Sequence, residues 1–338
     1  MIDTVEPAPG YGISRIIRGG WQQHAAAAFD AAAEADRIEA FMRAGVVAFE
    51  TSDTYGNVDD ALRIAIARRR DLGLPLPRVH ARITLPGDVE VSCKAAAGRL
   101  GLPCLDLVQL QSWALDETAL VDAARRLANL AGEGRLRHVG LMNVDEATLE
   151  RLLRQGVRPL TLQVQLSLLD RRPLSGLARL AMREGVALLA YGALAGGFID
   201  PRWLGRPDPG TVPGPGDRFH AEYRAIIDAF GGWALFQELL GAVATVAEHH
   251  GVAMASVALR WVLDRPCVAA TLVGASDPAR AQAWGEVFAM RLTAEDMTVL
   301  DAVLSRAHGP RGPVGGLERD PSGPMARAIA ASRAAAHG

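Results

Sequence analysis

Cysteine is scarce in this sequence. Its three residues (Cys93, Cys104, Cys267) contain no C-x-x-C pair, which argues against a disulfide framework and a thiolate zinc site and suits a reducing compartment. Charge of one sign is also missing. With a formal net charge of −2 over 338 residues, the chain has no general field to attract nucleic acid or an anionic membrane surface. Long apolar runs are absent as well: the longest, Val186 to Ile199, is broken by Tyr191 and three glycines and falls short of the roughly 20 residues that span a bilayer. Residues Met1 to Gly10 are acidic and proline-containing, without the basic and apolar regions of a signal peptide. The expectation is a cytoplasmic protein with a small-molecule partner, neither nucleic acid nor membrane. No sustained heptad or exposed apolar run stands out, so the pattern leaves the oligomeric state open.

What is present is alternation. At 49% hydrophobic and 22% charged, the chain can bury a full core, and a single α/β barrel of this size is ordinary. Ile38, Phe41 and Met42 make a helical stripe that ends at Gly45 and feeds the β-type run Val46 to Phe49. Further strand candidates are Arg15 to Arg18, Val79 to Ile83, Leu105 to Leu110, Arg137 to Leu141, Leu160 to Val164, Val186 to Ala190 and Val268 to Val273. Helix signatures lie between them, such as Leu149, Leu152 and Leu153 behind an N-cap at Asp145. Strands this apolar need both faces covered, as parallel strands do, and a (β/α)8 TIM barrel is the natural closure. A doubly wound open sheet is the alternative, but no G-x-G-x-x-G follows the first strand. The expected layout is a barrel over residues 1–308, with a lid-like loop at about 201–217. A tail, 309–338, would be a capping helix or partly disordered.

The chemistry is concentrated in the run A-F-E-T-S-D-T-Y-G, Ala48 to Gly56, where Glu50 leaves a strand five residues before Tyr55. A carboxylate and a phenol can then meet at one mouth of a barrel, the end where barrel catalysis gathers.

Several strings resemble the aldo-keto reductases. They are Phe49 to Gly56, Cys104 to Trp113, Arg137 to Asn143, Gln163 to Pro173, Tyr191 to Phe198 with the following Arg202 to Gly205, and Leu259 to Gly274. The resemblance spans roughly residues 10 to 305 and implies a barrel that reduces carbonyls with NADPH. It also implies four catalytic positions, aspartate, tyrosine, lysine and histidine, which in this chain are Glu50, Tyr55, Arg82 and Gln111. Arginine can grip Glu50 bidentately but cannot relay a proton as an ammonium can, and a cation near Tyr55 is expected to lower its pKa. Tyr55 stays a credible general acid; Gln111 can position a substrate oxygen but cannot titrate.

For the cofactor, NADP by resemblance, Asn143 and Gln163 match the residues that bond the nicotinamide carboxamide, and Tyr191 matches the ring that stacks on it. Gly192, Leu194 and Gly196 match the backbone that passes the pyrophosphate. On the adenosine side Gly274, Ala275 and Ser276 replace basic and hydroxyl residues, Met142 replaces a small hydroxyl residue, and Arg280 is left as the candidate for a 2′-phosphate.

Trp21 and Trp113 are candidate pocket walls, and His220 a remote candidate for an extra acid. His80 and His138, inside strands, read as hydrogen-bonded barrel residues. His249 and His250 are adjacent on a helix and should point to different faces, so no metal is expected. Asp170 to Arg172 read as a solvated or structural ion cluster. The leading expectation is an atypical NADP(H)-dependent reductase acting on a C=O, C=N or C=C centre. The alternatives are a redox-neutral cyclase, dehydratase or isomerase using Tyr55 and Glu50, and, last, a non-catalytic binding barrel.

Overall fold

The structure is a computed structural model that describes residues 1–21, 29–113, 116–210, 218–327 and 330, without the side chains of 218–220 and 282. Strands β1 (Thr4–Ala8) and β2 (Tyr11–Ser14) form an antiparallel hairpin. Eight further strands run parallel: β3 (Ile16–Gly19), β4 (Ala48–Ser52), β5 (Arg78–Leu85), β6 (Leu105–Ser112), β7 (Leu136–Met142), β8 (Thr161–Gln165), β9 (Ala187–Tyr191) and β10 (Val268–Val273). They close into a barrel in the order β10-β3-β4-β5-β6-β7-β8-β9. These are the eight runs read from the sequence, so the (β/α)8 expectation holds.

Several of the helices that cover the barrel begin where the sequence supplies a side-chain acceptor. Asp30 opens α1 (Ala31–Arg43), Asp88 opens α3 (Val89–Leu100), Asp116 opens α4 (Glu117–Gly132) and Asp145 opens α5 (Glu146–Arg154). The intervening α2 (Val58–Asp71) follows Asn57, which makes no side-chain cap. Beyond α5 come α6 (Leu177–Glu184), α7 (Arg218–Phe230), α8 (Gly232–His250), α9 (Met254–Leu263), α10 (Ala279–Ala283), α11 (Gly285–Ala289), α12 (Ala294–Leu304) and α13 (Gly316–Arg319). The apolar stripe on α1 buries Ile38 and Phe41, and Gly45 follows the helix at φ 98, a left-handed position that glycine reaches without strain. Among the described residues no single helix is long and apolar enough to cross a membrane.

Alternation along each strand sorts the interior. On β6, Val108 and Leu110 join the large apolar cluster with the helices, whereas Leu107, Gln109 and Gln111 share the other face. The floor of the barrel is apolar: Tyr11 and Ile13 of the hairpin pack with Ile17, Ala48, Leu107 and Leu189. There the Tyr11 hydroxyl lies 2.9 Å from His80 Nε2, and burial pushes the His80 pKa down to about 3, so this imidazole stays neutral. His138 stacks at a tilt on Tyr11 with ring centres 4.5 Å apart. Both histidines belong to the floor. The hairpin was not read from the sequence, because its strands are short, Pro7 interrupts the first and Pro9 the turn, and they pair only with each other among the described residues.

One expectation is overturned. His249 and His250 do not diverge: His249 Nδ1 lies 3.0 Å and His250 Nε2 2.6 Å from the two oxygens of Asp296. Adjacent helical residues are only about 100° apart, and the last turn of α8 lets two long rings converge on one acceptor. Asp296 also receives the Thr293 amide at the start of α12, so hydrogen bonding accounts for all three side chains.

At the opposite end, the segment after α12 crosses the barrel mouth. The His308 amide bonds Phe230 O (2.9 Å), Arg172 donates to Pro313 O (3.1 Å), and Arg319 donates to the carbonyls of Asn143 and Ser112. The Asp170 to Arg172 run is structural rather than solvated. Asp170 is fully buried, and Arg172 grips it through Nε (2.9 Å) and Nη2 (2.6 Å) while reaching Glu318 at 3.3 Å. Of the expected lid at 201–217, residues 211–217 lie outside the described residues, as do the side chain of His220 and the chain after Ala330. Removing the guanidinium would leave two buried carboxylates unpaired, so Arg172→Ala is predicted to lower unfolding stability by about 3–5 kcal/mol. Urea denaturation followed by circular dichroism measures it, and a loss below ~1 kcal/mol would show the cluster to be solvated.

Candidate active site

The mouth is assembled from strand ends. Parallel pairing sets Glu50 of β4 opposite His80, and Ser52 opposite Arg82, on β5. Past Ser52 the chain turns, with the Tyr55 amide donating to Ser52 O at 3.0 Å, which folds the phenol back over the strand end. The G-G-W run after β3 is needed for this approach. A Cβ on Gly20 would lie 2.6 Å from the Glu50 carbonyl oxygen and 3.3 Å from the Tyr55 ring.

Glu50 is the centre of this cluster, with 3% of its surface exposed. It accepts the Gly20 amide (3.1 Å) and the Tyr55 hydroxyl (3.2 Å), and Arg82 Nη1 stands 3.9 Å from the same oxygen that Tyr55 reaches. The expected bidentate grip is therefore absent. Arg82 instead gives Nε to Ser52 Oγ (3.2 Å) and Nη1 to Met142 Sδ (3.6 Å), and lays its guanidinium over the Tyr55 ring at 4.8 Å. A second expectation also fails: Tyr55 is not acidified. Burial raises its pKa well above the usual phenol value, and the charge of Glu50 adds to that while Arg82 only partly offsets it. Burial raises Glu50 as well, against the pull of Arg82. Tyr55 holds its proton.

These residues open on a cavity of about 360 Å³, within the range of small-molecule sites. Glu50, Tyr55, Arg82 and Gln111 all line it. Trp21 lines it beside Tyr55, with ring centres 5.5 Å apart, and Trp113 lines it from the strand end after Gln111. Gln111 is 2% exposed, and its Oε1 has no hydrogen-bond partner among the described residues.

The residues matched to a nicotinamide converge on the same cavity. Asn143, at φ 52, gives its amide to the Tyr191 hydroxyl at 2.8 Å, and Gln163 keeps a buried Oε1 with no partner among the described residues. Gly192, Leu194 and Gly196 line the wall toward Gly274, Ala275 and Ser276, and Arg280 is exposed at the rim.

The sequence reading missed several lining residues. Arg202 stands on the glycine-rich side, bonded to Gly197 O at 3.3 Å. Gln165 lies two residues past Gln163, so strand alternation alone would have found it. Tyr223 of α7 packs against Gly192 and Gly196, where an added Cβ would come within 2.8 Å and 2.3 Å of its side chain. Glu222 and Glu318 also line the cavity. Nothing local marks these three, because helix packing and the returning C-terminal segment bring them in.

A closed eight-stranded parallel barrel with a cavity at the strand C-termini into which several polar side chains converge has the anatomy of a (β/α)8 enzyme. The aldo/keto reductase family model matches residues 15–305, and the chain belongs to that family. It is 31% identical over 182 residues to flagellar radial spoke protein 5 of Chlamydomonas reinhardtii, covering 48% of this chain and 34% of that protein. Against protein tas of Escherichia coli it is 28% identical over 194 residues, covering 55% and 53%. The chain thus spans about a third to half of the length of these curated relatives. Among solved structures, the glycerol dehydrogenase of Gluconobacter oxydans superposes with a TM-score of 0.73 at 22% identity, covering 93% of this chain and 97% of that one. An aldo-keto reductase from Klebsiella pneumoniae, solved with NADPH, gives 0.68 at 18% identity, covering 92% and 97%.

The contact at Gly20 generates a prediction. Gly20→Ala must displace the Glu50 carbonyl and is expected to cost ~1–3 kcal/mol. Thermal unfolding tests it, and an unchanged midpoint would show that the approach is looser than described.

Proposed function

We propose that this protein is an NADP(H)-dependent oxidoreductase that reduces a small-molecule C=O, C=N or C=C centre, with Tyr55 as the general acid. The observation that carries the reading is the Tyr55 hydroxyl, 3.2 Å from buried Glu50 and flanked by the Arg82 guanidinium, on the cavity that Asn143, Gln163 and Tyr191 also line.

The donor set suits the cofactor at its nicotinamide end. The unpartnered Oε1 of Gln163 offers an acceptor and Asn143 an amide for a carboxamide, with the Tyr191 ring beside them. Arg202 and Arg280 are the cations available toward the phosphates. When bound, the nicotinamide supplies the hydride. The part of this chain is to hold the substrate and deliver a proton. Gln111, buried beside the cluster, can hold the substrate atom that gains charge, and Tyr55 can give that atom its proton. Arg82 stays charged at any working pH and steadies the phenolate left behind. Glu50, whose own proton affinity is raised, sits within hydrogen-bond reach to restore the proton. The free thiols Cys93, Cys104 and Cys267 support a reducing, cytoplasmic setting.

Two measurements test this reading. Tyr55→Phe is predicted to lower NADPH-dependent reduction by 10²–10⁴-fold with little change in nucleotide affinity, since it removes the acid and leaves the ring. Near-normal turnover in the variant would move the chemistry elsewhere, and turnover by wild-type protein stripped of all nucleotide would favour the redox-neutral alternative. The pH profile is the second. The proton-bearing form of Tyr55 is the active one for reduction, and its pKa is raised. Reduction should therefore hold as pH rises from 6 to 9 and fall only beyond about 10, the ordinary phenol value. A tenfold fall between pH 7 and 9 would show that Arg82 acidifies the phenol after all.

A further inference from the structure

The reducing cluster uses one side of the cavity. The other side, under α7 and the C-terminal segment, is lined by carboxylates that the proposed reaction leaves idle. Glu318 is 5% exposed; its Oε1 meets Arg172 at 3.3 Å, while its Oε2 is buried with no partner among the described residues. Glu222, half-buried on α7, lines the same space, where burial and then the charge of Glu318 push its pKa up to about 8. Independently of these two, Gln165 is 1% exposed and lines the cavity, and neither of its amide atoms has a hydrogen-bond partner among the described residues.

The hydrogen-bonding capacity of the nearby guanidiniums is committed to other acceptors, leaving Glu318 Oε2 and Glu222 without a donor from them. Arg172 is spent on Asp170, Glu318 and Pro313 O, and Arg319 on the carbonyls of Asn143 and Ser112. Arg82 belongs to the Glu50 cluster. A cation carrying N–H donors would meet both the spare Glu318 Oε2 and the Glu222 carboxylate, displacing the proton that burial and Glu318 keep on Glu222 near neutral pH. The rings of Tyr191 and Tyr223 beside it offer π-faces to the same kind of group.

We infer that this corner is a subsite for an organic monocation, a protonated amine on the substrate, held by Glu318, Glu222 and the Gln165 carbonyl between Tyr191 and Tyr223. A metal ion is disfavoured, because the aromatic walls match the apolar body of an alkylammonium. As a substrate class, amine-bearing compounds rest on the reductase reading above; as a binding site, the corner stands without it.

Titration calorimetry on the full chain at pH 7.5 tests the subsite with benzylamine, a cation at that pH, and neutral benzyl alcohol of the same shape. The expected result is at least tenfold tighter binding of the amine, persisting in protein saturated with NADPH. Glu222→Gln should cut the preference at least threefold without weakening the alcohol. Glu318→Gln should do the same, and Glu222→Gln keeps the test decisive if loss of the Arg172 contact unfolds the C-terminal segment. Equal affinities, or an unchanged preference in Glu222→Gln, would overturn the subsite. Amine binding abolished by NADPH would assign the carboxylates to the cofactor and overturn it too. If NADPH fails to bind at all while the amine preference holds, the reductase reading falls and the cation subsite stands.

Discussion

A carboxylate kept out of water at the end of β4 organises the mouth of this barrel. Burying Glu50 without partners would cost several kcal/mol, so its surroundings must supply donors, and they do so from three elements. The Gly20 amide arrives from the β3 turn, the Tyr55 hydroxyl from the turn after β4, and the Arg82 charge from β5. The requirement explains why Gly20 has no room for a side chain, and why the phenol is held neutral at the cavity wall. Arg82 is a guanidinium in a chain with a single lysine, the exposed Lys94, so arginine is this protein's habitual cation. Its identity at the site says less about tuned chemistry than its position does.

The barrel separates stability from chemistry along its axis. The floor is closed by an apolar plug around Tyr11, whose hydroxyl meets Nε2 of a neutral His80, while His80 Nδ1 is buried with no partner among the described residues. Toward the mouth the inward positions turn polar, with Gln111, Gln163 and Gln165 all keeping buried amide atoms that have no partner among the described residues. Folding alone does not favour such a row, because each unmade hydrogen bond costs about 1–3 kcal/mol. A polar ligand or ordered water repays it. The C-terminal segment completes the enclosure, anchored by Arg172 and Arg319, and in doing so brings Glu318 into the cavity.

Much of this was legible in sequence. Each of the eight barrel strands is an apolar run bounded by polar residues and glycine, and buried parallel strands read clearly because both faces are covered. The Glu50-to-Tyr55 spacing was read from the residues, the resemblance to the aldo-keto reductases named Arg82, Gln111, Asn143, Gln163 and Tyr191, and all of them line one cavity. The hairpin floor escaped notice because two strands of four and five residues, one of them broken by Pro7, carry little periodic signal. The convergence of His249 and His250 on Asp296 joins helices 46 and 47 positions apart, a distance no local pattern spans.

The sequence by itself determined the eight strands and the barrel they build, because apolar runs alternating with helices follow from local periodicity, and the family resemblance named most of the residues at its mouth. Only the tertiary structure decided how the charges behave there. Glu50 reaches Tyr55 more closely than it reaches Arg82, burial outweighs the arginine in setting the phenol's proton affinity, and Glu222 and Glu318 arrive from a helix and a terminal segment far along the chain. Desolvation and Coulomb energy depend on distances through space and on what excludes water, and neither is written in residue spacing.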